Sequence, residues 1–231
     1  MKEYNNNGKA TAILLFAQSE EVESTVKPIV SIKKQNVVLW KKMNTRVLRT
    51  IQKTQFPYFI SNEKNQVGDS FGAKITYAIE QLFAQGFEKV IVVGNDCMNL
   101  HHHHLLEAAN KLQSNKVVFG PDAAGGTYLM GFSKDSFESK SFTAVPWQTN
   151  KVFKSLCTLN QQHSIAFLPR LNDCTTRLDF KKALHSLAYS DPFRGIVQAL
   201  LGHFIYPKKN ETTVVYTTIT DLYFNKGSPE L

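Results

Sequence analysis

The stretch from Lys89 to Leu100, KVIVVGNDCMNL, decides the fold. It opens with KVIVV, in which four β-branched apolar residues follow a lysine. A short continuous run of this kind is typical of a strand that is buried on both faces of a parallel sheet. The run ends at Gly94, Asn95 and Asp96. Because ligands of open α/β sheets bind outside the carboxyl ends of the strands, the sequence predicts Asp96 at the lip of a binding crevice.

Two interpretations of Asp96 follow from this local pattern. Its carboxylate can meet a metal ion or a polar ligand, or it can cap the turn after the strand, since aspartate bonds nearby backbone amides. The next residue, Cys97, would point away from Asp96 if the strand continued. We interpret Cys97 as a small core residue rather than as a nucleophile.

Size and composition place the chain among globular proteins. It has 231 residues, of which 42% are hydrophobic and 20% charged, which suits one α/β domain with a short appendage. The net charge of +8 favours anionic partners: nucleotides, phosphosugars, nucleic acid or acidic membranes.

The three cysteines have no CxxC spacing, which argues against a disulfide framework and a zinc knuckle. No signal peptide or apolar segment of membrane length is found, so we expect a cytoplasmic protein without a membrane span.

Apolar runs alternate with amphipathic stretches on both sides of the central strand. Predicted strands cover residues 11–17, 58–60, 89–93, 116–119, 127–132 and 164–168. Predicted helices cover 36–53, about 70–86, 102–113, 148–161, 177–188 and 192–203. This order predicts an α/β fold, a three-layer αβα sandwich with a mostly parallel sheet. We interpret 18–27 as an acidic loop and 212–220 as a β-branched tail.

Five motifs in this order resemble the DUF2064 family of bacterial proteins, which has a GT-A-type fold. They are AILLFA (12–17), VVGNDCMNL (92–100), VVFGPDAAGGTYLMGF (117–132), VPW (145–147) and FLPRLNDCTT (167–176). Broader relatives of that family are nucleotide-diphospho-sugar transferases and small nucleotidyltransferases, such as the molybdenum-cofactor and phospholactate guanylyltransferases. The resemblance implies a GT-A-like domain over residues 1–190 and a C-terminal helix and tail over 191–231 that pack on the same domain.

The resemblance also implies a metal-dependent site. The family pattern G-x-D-x-P-x-L is met by Gly94, Asp96 and Leu100, with Met98 in place of the proline. In the superfamily this aspartate holds a divalent cation against a nucleotide diphosphate. Mg²⁺ or Mn²⁺ would suit that role, because both accept hard oxygen ligands and neutralise the charge that develops on a leaving phosphate.

A second family pattern, G-P-x-x-D-G-G-x-Y-L-x-G, is only partly present. Gly125 and Gly126 are kept, and glycines allow the backbone to approach a ligand closely because no Cβ intervenes. The aspartate before them is Ala124 here, and Asp122 is a possible substitute two residues earlier. The loop is either a ligand-binding turn or a plain turn between two strands.

Two further charged features of the family are reduced. The late pattern D-x-D-T, a second acidic ligand pair in the superfamily, keeps Asp173 but has Thr175 as a poorer ligand. The expected basic segment K-x-K-T-R-L after the first strand is replaced by 18–27, which has three glutamates and one lysine. Glutamates near a triphosphate would repel it.

These patterns give a set of candidate site residues. The candidate catalytic and metal-binding residues are Asp96 and Asp173. The candidate substrate-binding residues are Phe16, Ala17, Gly94, Asn95, Asp122, Gly125, Gly126 and Trp147. The indole of Trp147 can stack on a base or sugar, or it can be a buried packing group.

The internal run His101 to His104 is a separate feature. Its spacings of three and four residues permit metal-binding geometry on a helix. We interpret the run instead as a solvated first helical turn that binds metals only adventitiously.

Two classes of function fit the sequence. The first is a transferase that uses a nucleotide sugar or NTP with Mg²⁺ or Mn²⁺, and the second is a non-catalytic GT-A-like domain that binds a ligand or a partner. Asp96, the double glycine and the basic charge favour the first, whereas Ala124, Thr175 and the acidic first loop favour the second. A nucleic-acid binder ranks last because no recognition motif is present. The oligomeric state stays open.

Overall fold

The computed structural model describes residues 11–202. Its strands are β1 (Thr11–Phe16), β2 (Tyr58–Ser61), β3 (Lys89–Val93), β4 (Val117–Pro121), β5 (Thr127–Ser133) and β6 (Ile165–Phe167). Its helices are α1 (Glu20–Val26), α2 (Lys33–Gln52), α3 (Phe71–Ala84), α4 (His102–Ser114), α5 (Ser139–Thr143), α6 (Val152–Leu159), α7 (Arg177–Ser186) and α8 (Pro192–Gly202). The predicted strands and main helices are all present, with boundaries shifted by a few residues.

The six strands form one sheet in the order β2-β1-β3-β5-β4-β6. β1 is parallel to β2 and β3, and β4 is parallel to β6, whereas β5 runs antiparallel between β3 and β4. The predicted α/β fold with a mostly parallel sheet is therefore confirmed. In the register of β1 and β3, Leu15 pairs with Val93, so the residues that follow these strands emerge side by side.

Helices cover both faces of the sheet because apolar side chains alternate along buried strands. Leu14 of β1 faces a cluster that includes Ile79 of α3, while Leu15 faces a second cluster that includes Val47 of α2 and Leu105 of α4. All of these side chains are buried. The result is the predicted three-layer arrangement, in which the central strands are shielded from water on both sides.

A third apolar cluster joins α2 to α7 and α8. Trp40 of α2 is fully buried and meets Phe180 of α7 edge to face at 6.0 Å, and Val197 of α8 is buried in the same cluster. Residues 191–202 thus pack on the helical layer. The division of the chain at residue 190 stays a prediction, and the tail at 212–220 lies outside the described residues.

Two local predictions are corrected. The segment 18–27, predicted as a loop, contains α1, which is capped by Ser19 and carries glutamates in its first turn, where they favour a helix. The helix predicted from residue 148 begins only at Val152, since Gln148 has a left-handed φ of 61° that a helix cannot contain. Over residues 11–202, no helix is both long and apolar enough to cross a membrane.

Candidate functional site

A cleft of about 620 Å³ opens at the carboxyl ends of β1 and β3. It is also lined by residues of the glycine loop after β4, of the segment 147–152 and of the loop after β6. Nine of the ten candidate site residues line it: Phe16, Ala17, Gly94, Asn95, Asp96, Asp122, Gly126, Trp147 and Asp173. These residues come from distant parts of the sequence, and the ends of neighbouring strands bring them together.

Asp96 faces this cleft rather than the core. A Cβ built on Gly94 would lie 2.9 Å from Asp96 Oδ1, so the carboxyl group folds back over the glycine. Asp96 Oδ2 accepts a hydrogen bond from Lys27 Nζ at 3.1 Å, and the Lys27 ammonium also pairs with Glu23 at 3.4 Å. Burial by itself lowers the pKa of Lys27, but the charges of Asp96 and Glu23 outweigh it and raise this pKa above its ordinary value. Lys27 therefore keeps its positive charge in the cleft.

Asp173 is a partly buried residue of the cleft, and its Oδ1 atom is shielded from solvent. Burial raises its pKa well above the usual range, and the negative charges of Asp96 and Asp122 raise it further. Asp96, Asp122 and Asp173 all line the same cleft, so three carboxyl groups lie near one another. Neighbouring negative charges disfavour the ionised form of a carboxyl group.

Backbone pairing holds Asp173 in place. Leu171 N–H donates to the carbonyl of Pro121 at 3.2 Å, and Cys174 N–H donates to the carbonyl of Asp96 at 2.8 Å. The loop after β6 is thus tied both to the end of β4 and to the turn after β3. These non-local bonds explain why three carboxyl groups from separate loops converge.

In the glycine loop, one glycine faces the cleft and the other packs against the backbone of a neighbouring segment. Gly126 lines the cleft, and a Cβ there would lie 2.5 Å from Asp122 Oδ2. Gly125 does not line it, contrary to expectation, because its φ is +93° and a Cβ would lie 2.2 Å from the carbonyl oxygen of Asn150. The close packing of Gly125 on the Asn150 backbone fixes the wall of the cleft.

Trp147 is a packing group that also lines the cleft. Its Nε1 donates to the carbonyl of Phe142 at 3.1 Å, and its ring lies 5.4 Å from Phe71 and 4.9 Å from Phe142. Packing and access to a ligand, which the sequence left as alternatives, are thus compatible at this residue. The aromatic wall is held by contacts within the protein itself.

Asn95 and Thr175 are engaged in the protein's own hydrogen bonds. Asn95 is buried, and its Nδ2 donates to Asn44 Oδ1 of α2 at 2.7 Å. Thr175 stands where the family has an acid, and it lies against the capping carboxylate of α7, with its N–H and Oγ1 each 3.3 Å from Asp179 Oδ2. Its local role is therefore the start of a helix.

Sequence reasoning missed Lys27 and Glu23 as members of the site. The segment 18–27 was described only by its acidic balance, and no periodic pattern shows where its single lysine reaches. The i, i+4 spacing of Glu23 and Lys27 would have been a usable signal if α1 had been recognised.

The carboxyl groups suit a hard divalent cation, but only in part. Asp173 Oδ1 is buried and receives no hydrogen bond from the described residues. Mg²⁺ is often held by one or two carboxylates together with substrate phosphates. Within residues 11–202, no group of three His, Cys, Asp or Glu side chains is arranged to hold a metal ion. Phosphate oxygens would have to complete the coordination of an ion at Asp96 and Asp173.

A second cavity of about 560 Å³ lies beside the cleft and shares Ala17 and Gln18 with it. The basic residues lining this cavity, here called the basic cavity, are Lys41, Arg49 and Lys64, and its acidic residues are Glu20 and Glu21. No ion pair forms between these three cations and any residue of the described range 11–202.

The histidine run forms a helix cap instead of a metal site. His104 Nδ1 accepts the backbone N–H of His101 at 3.1 Å, so the proton of the neutral ring is on Nε2, which faces His103 Nε2 at 3.1 Å. Burial, with the charges of His103 and His101, lowers the pKa of His104 to about 4. The expected solvated turn is correct for His101 to His103, which are exposed, and wrong for His104, which is buried.

The comparisons with known proteins agree with this architecture. The profile of the family described as "Uncharacterized protein conserved in bacteria (DUF2064)" matches residues 37–149. Over this range the chain is similar to that family. The resemblance read from the motifs is confirmed, and the matched range includes Asp96, Gly126 and Trp147 but neither Lys27 nor Asp173. No curated protein matches the chain.

Solved structures share the fold of this chain. A candidate nucleotide-diphospho-sugar transferase from Desulfovibrio desulfuricans G20 matches with a TM-score of 0.74 and 21% identity, over 83% of this chain and 96% of that protein. Rv0371c from Mycobacterium tuberculosis H37Rv matches with a TM-score of 0.53 and 11% identity, over 78% of this chain and 100% of that one. A manganese complex of Rv0371c matches at 0.43 and 12% identity, over the same shares of the two chains, and bears on that protein alone. At these low sequence identities, the comparisons show a shared fold only.

Proposed function

We propose that this protein is a transferase of the glycosyltransferase or nucleotidyltransferase kind, which binds a nucleotide-activated donor in the cleft. The observation that carries the proposal is the convergence of nine predicted site residues on one cavity at the strand ends. A cavity of this volume is within the range of small-molecule sites. The shared fold with nucleotide-diphospho-sugar transferases supports the general kind of reaction.

In this proposal each side of the cleft has a different task. The aromatic wall at Trp147 contacts the base or sugar of a nucleotide sugar or NTP. Gly94 and Gly126 let the diphosphate approach the backbone, because neither residue has a Cβ. Asp96 and Asp173 are the residues that would hold Mg²⁺ or Mn²⁺, which supplies positive charge for the leaving phosphate.

The raised pKa of Asp173 adds a condition to this mechanism. A carboxyl group with a raised pKa binds a metal ion in competition with a proton, so Asp173 becomes a better ligand as pH rises. We therefore expect metal affinity to rise with pH.

The test is a binding experiment with the full chain. Sugar nucleotides and NTPs are titrated with Mn²⁺ while the thermal unfolding is followed, and a nucleotide at 100 times its Kd should stabilise by about 2.7 kcal/mol. Asp96→Ala should abolish that stabilisation, whereas Asp69→Ala, an exposed change outside the cleft, should preserve it. No metal-dependent stabilisation with any nucleotide would refute the proposal.

A non-catalytic ligand-binding domain is the second candidate. It is favoured by the use of Thr175 as part of a helix cap and by Ala124 at the acidic position of the glycine loop. The two candidates differ in turnover. A bound donor that is neither hydrolysed nor transferred to an acceptor panel over many hours would favour the binding domain.

A further inference from the structure

Hydrogen bonds hold the backbone of Lys27 in place beside the cleft. Its carbonyl accepts hydrogen bonds from Trp40 Nε1 at 3.0 Å and from Asn36 Nδ2 at 3.2 Å, and its N–H donates to the carbonyl of Glu23 at 2.7 Å. Trp40 and Asn36 are both buried. The position of the main chain is thus set by the core, while the flexible side chain reaches Asp96.

The charge balance around Lys27 is uneven. Among residues 11–202, Lys27 is the only Lys, Arg or His lining the cleft, against four carboxyl groups. Those carboxyl groups belong to Glu23, Asp96, Asp122 and Asp173. An anionic diphosphate entering such a cleft would be repelled unless more positive charge came with it.

The contact between Lys27 and Asp96 also affects metal binding. Lys27 Nζ lies 3.1 Å from Asp96 Oδ2, one of the oxygens that a divalent cation would need, and 3.4 Å from Glu23. Ammonium and dication cannot occupy one carboxylate oxygen together without strong repulsion. A lysine side chain has a flexible stem with rotatable donors, so it can leave one partner for another.

We propose that Lys27 is an exchangeable resident counter-ion: it neutralises Asp96 in the free protein, is displaced by a divalent cation, and then turns to the diphosphate of the donor. The identity of the donor rests on the proposed function, whereas the displacement of Lys27 by a divalent cation does not. Lys27 therefore lowers the affinity for metal alone and raises the affinity for the metal–nucleotide pair. Lys27 thereby makes the binding of nucleotide and metal cooperative.

The test measures two affinities that should move in opposite directions. Mn²⁺ binding to the full chain is followed by the loss of the electron paramagnetic resonance signal of free Mn²⁺. Lys27→Met should bind Mn²⁺ alone at least about tenfold more tightly, since its competitor is gone. At saturating Mn²⁺ the same variant should bind a nucleoside diphosphate at least about threefold more weakly. A merely structural role would not give opposite signs.

Two variants serve as controls. Lys27→Arg keeps a cation that can pair with Asp96, so its Mn²⁺ affinity should stay close to that of the parent. Lys41→Met removes a lysine that lines the basic cavity and not the cleft, and it should leave Mn²⁺ binding unchanged. Equal Mn²⁺ affinity in Lys27→Met and the parent, or weaker binding in the variant, would overturn the proposal.

A measurement on the parent protein covers the case in which Lys27→Met fails to fold. Brief acetylation followed by mass spectrometry reports how free each lysine amine is. Adding Mn²⁺ without nucleotide should raise the labelling of Lys27 at least about threefold and leave Lys41 unaffected. Unchanged labelling of Lys27 at a Mn²⁺ concentration that saturates the protein, or failure of Mn²⁺ to bind at all, would refute the exchange.

The outcomes separate this proposal from the proposed function. If Mn²⁺ displaces Lys27 and no nucleotide binds, the metal half of the exchange stands and the donor assignment fails. If nucleotide and Mn²⁺ bind but Lys27 changes affect neither affinity, the donor assignment stands and the exchange fails.

Discussion

The cleft and the basic cavity are neighbours of opposite charge. The cleft has four carboxyl groups around one lysine, whereas the basic cavity has Lys41, Arg49 and Lys64 against two glutamates. Within residues 11–202, the lysine of the cleft is paired with Asp96 and Glu23, whereas the three cations of the basic cavity form no ion pair. The difference teaches that the cleft needs an added cation before it can accept a phosphate, while the basic cavity can attract one directly. Four variants test this contrast.

The largest effect is expected when the wall of the cleft is broken. Gly125→Ala puts a Cβ 2.2 Å from the Asn150 carbonyl oxygen at a φ of +93°, so the free energy of unfolding should fall by about 3 kcal/mol. Urea unfolding measures this change. Nucleotide binding in the cleft should be lost, and binding in the basic cavity should survive. Gly195→Ala in α8, where nothing lies within 4 Å, is the matched control and should be neutral or slightly stabilising.

The next effect concerns the proton held by Asp173. Because its pKa is raised in the folded protein, the unfolded chain releases this proton first as pH rises above about 4. The free energy of unfolding should then fall with pH, by at most about 1.4 kcal/mol per unit for one proton, until pH passes the folded pKa. Asp173→Asn should remove this loss, as measured by urea unfolding from pH 4 to 9.

An exposed carboxyl group provides the opposite sign. The hydrogen bond from Lys116 lowers the pKa of Asp135, so its stabilising effect is present above the unfolded pKa and is lost as pH falls. Asp135→Asn should therefore flatten only the acid side of the profile. If Asp173→Asn altered the profile in the same way, a raised pKa of Asp173 in the folded protein would be excluded.

A smaller effect is expected in the basic cavity. The double change Lys41→Gln with Arg49→Gln removes two of its cations, so inorganic phosphate should bind about fivefold more weakly, or about 1 kcal/mol. Calorimetry at low salt measures this. Lys33→Gln, an exposed lysine of α2 that does not line the cavity, is the control. An equal loss in the control would mean that phosphate only senses the overall charge.

The smallest effect is expected when the cleft is made more acidic. Thr175→Asp restores the acid of the family pattern at an exposed edge of the cleft, and Mn²⁺ should bind about threefold more tightly, or about 0.6 kcal/mol. Thr175→Asn, which adds no charge, should leave Mn²⁺ affinity unchanged. Equal behaviour of the two variants would show that position 175 acts only as part of the α7 cap.

Local patterns in the sequence predicted the sheet and the position of Asp96 well. The run KVIVV became β3 because its β-branched side chains suit a strand covered on both faces, and Gly94 to Asp96 followed at its carboxyl end. The helix α1 was not predicted because the three glutamates beside Ser19 were interpreted as an acidic loop and not as the capped first turn of a helix. The break at Gln148 was not predicted because a left-handed φ at glutamine has no clear sequence signal.

The sequence by itself determined the strands, the main helices and the residue types that could form a site, because burial and periodicity act on neighbouring residues. Only the tertiary structure decided that Lys27 would meet Asp96 at 3.1 Å, that Gly125 would pack on Asn150, and that Asp122 and Asp173 would line one cleft. These contacts join residues far apart in the chain. Their geometry depends on strand order and loop paths, which no local pattern specifies.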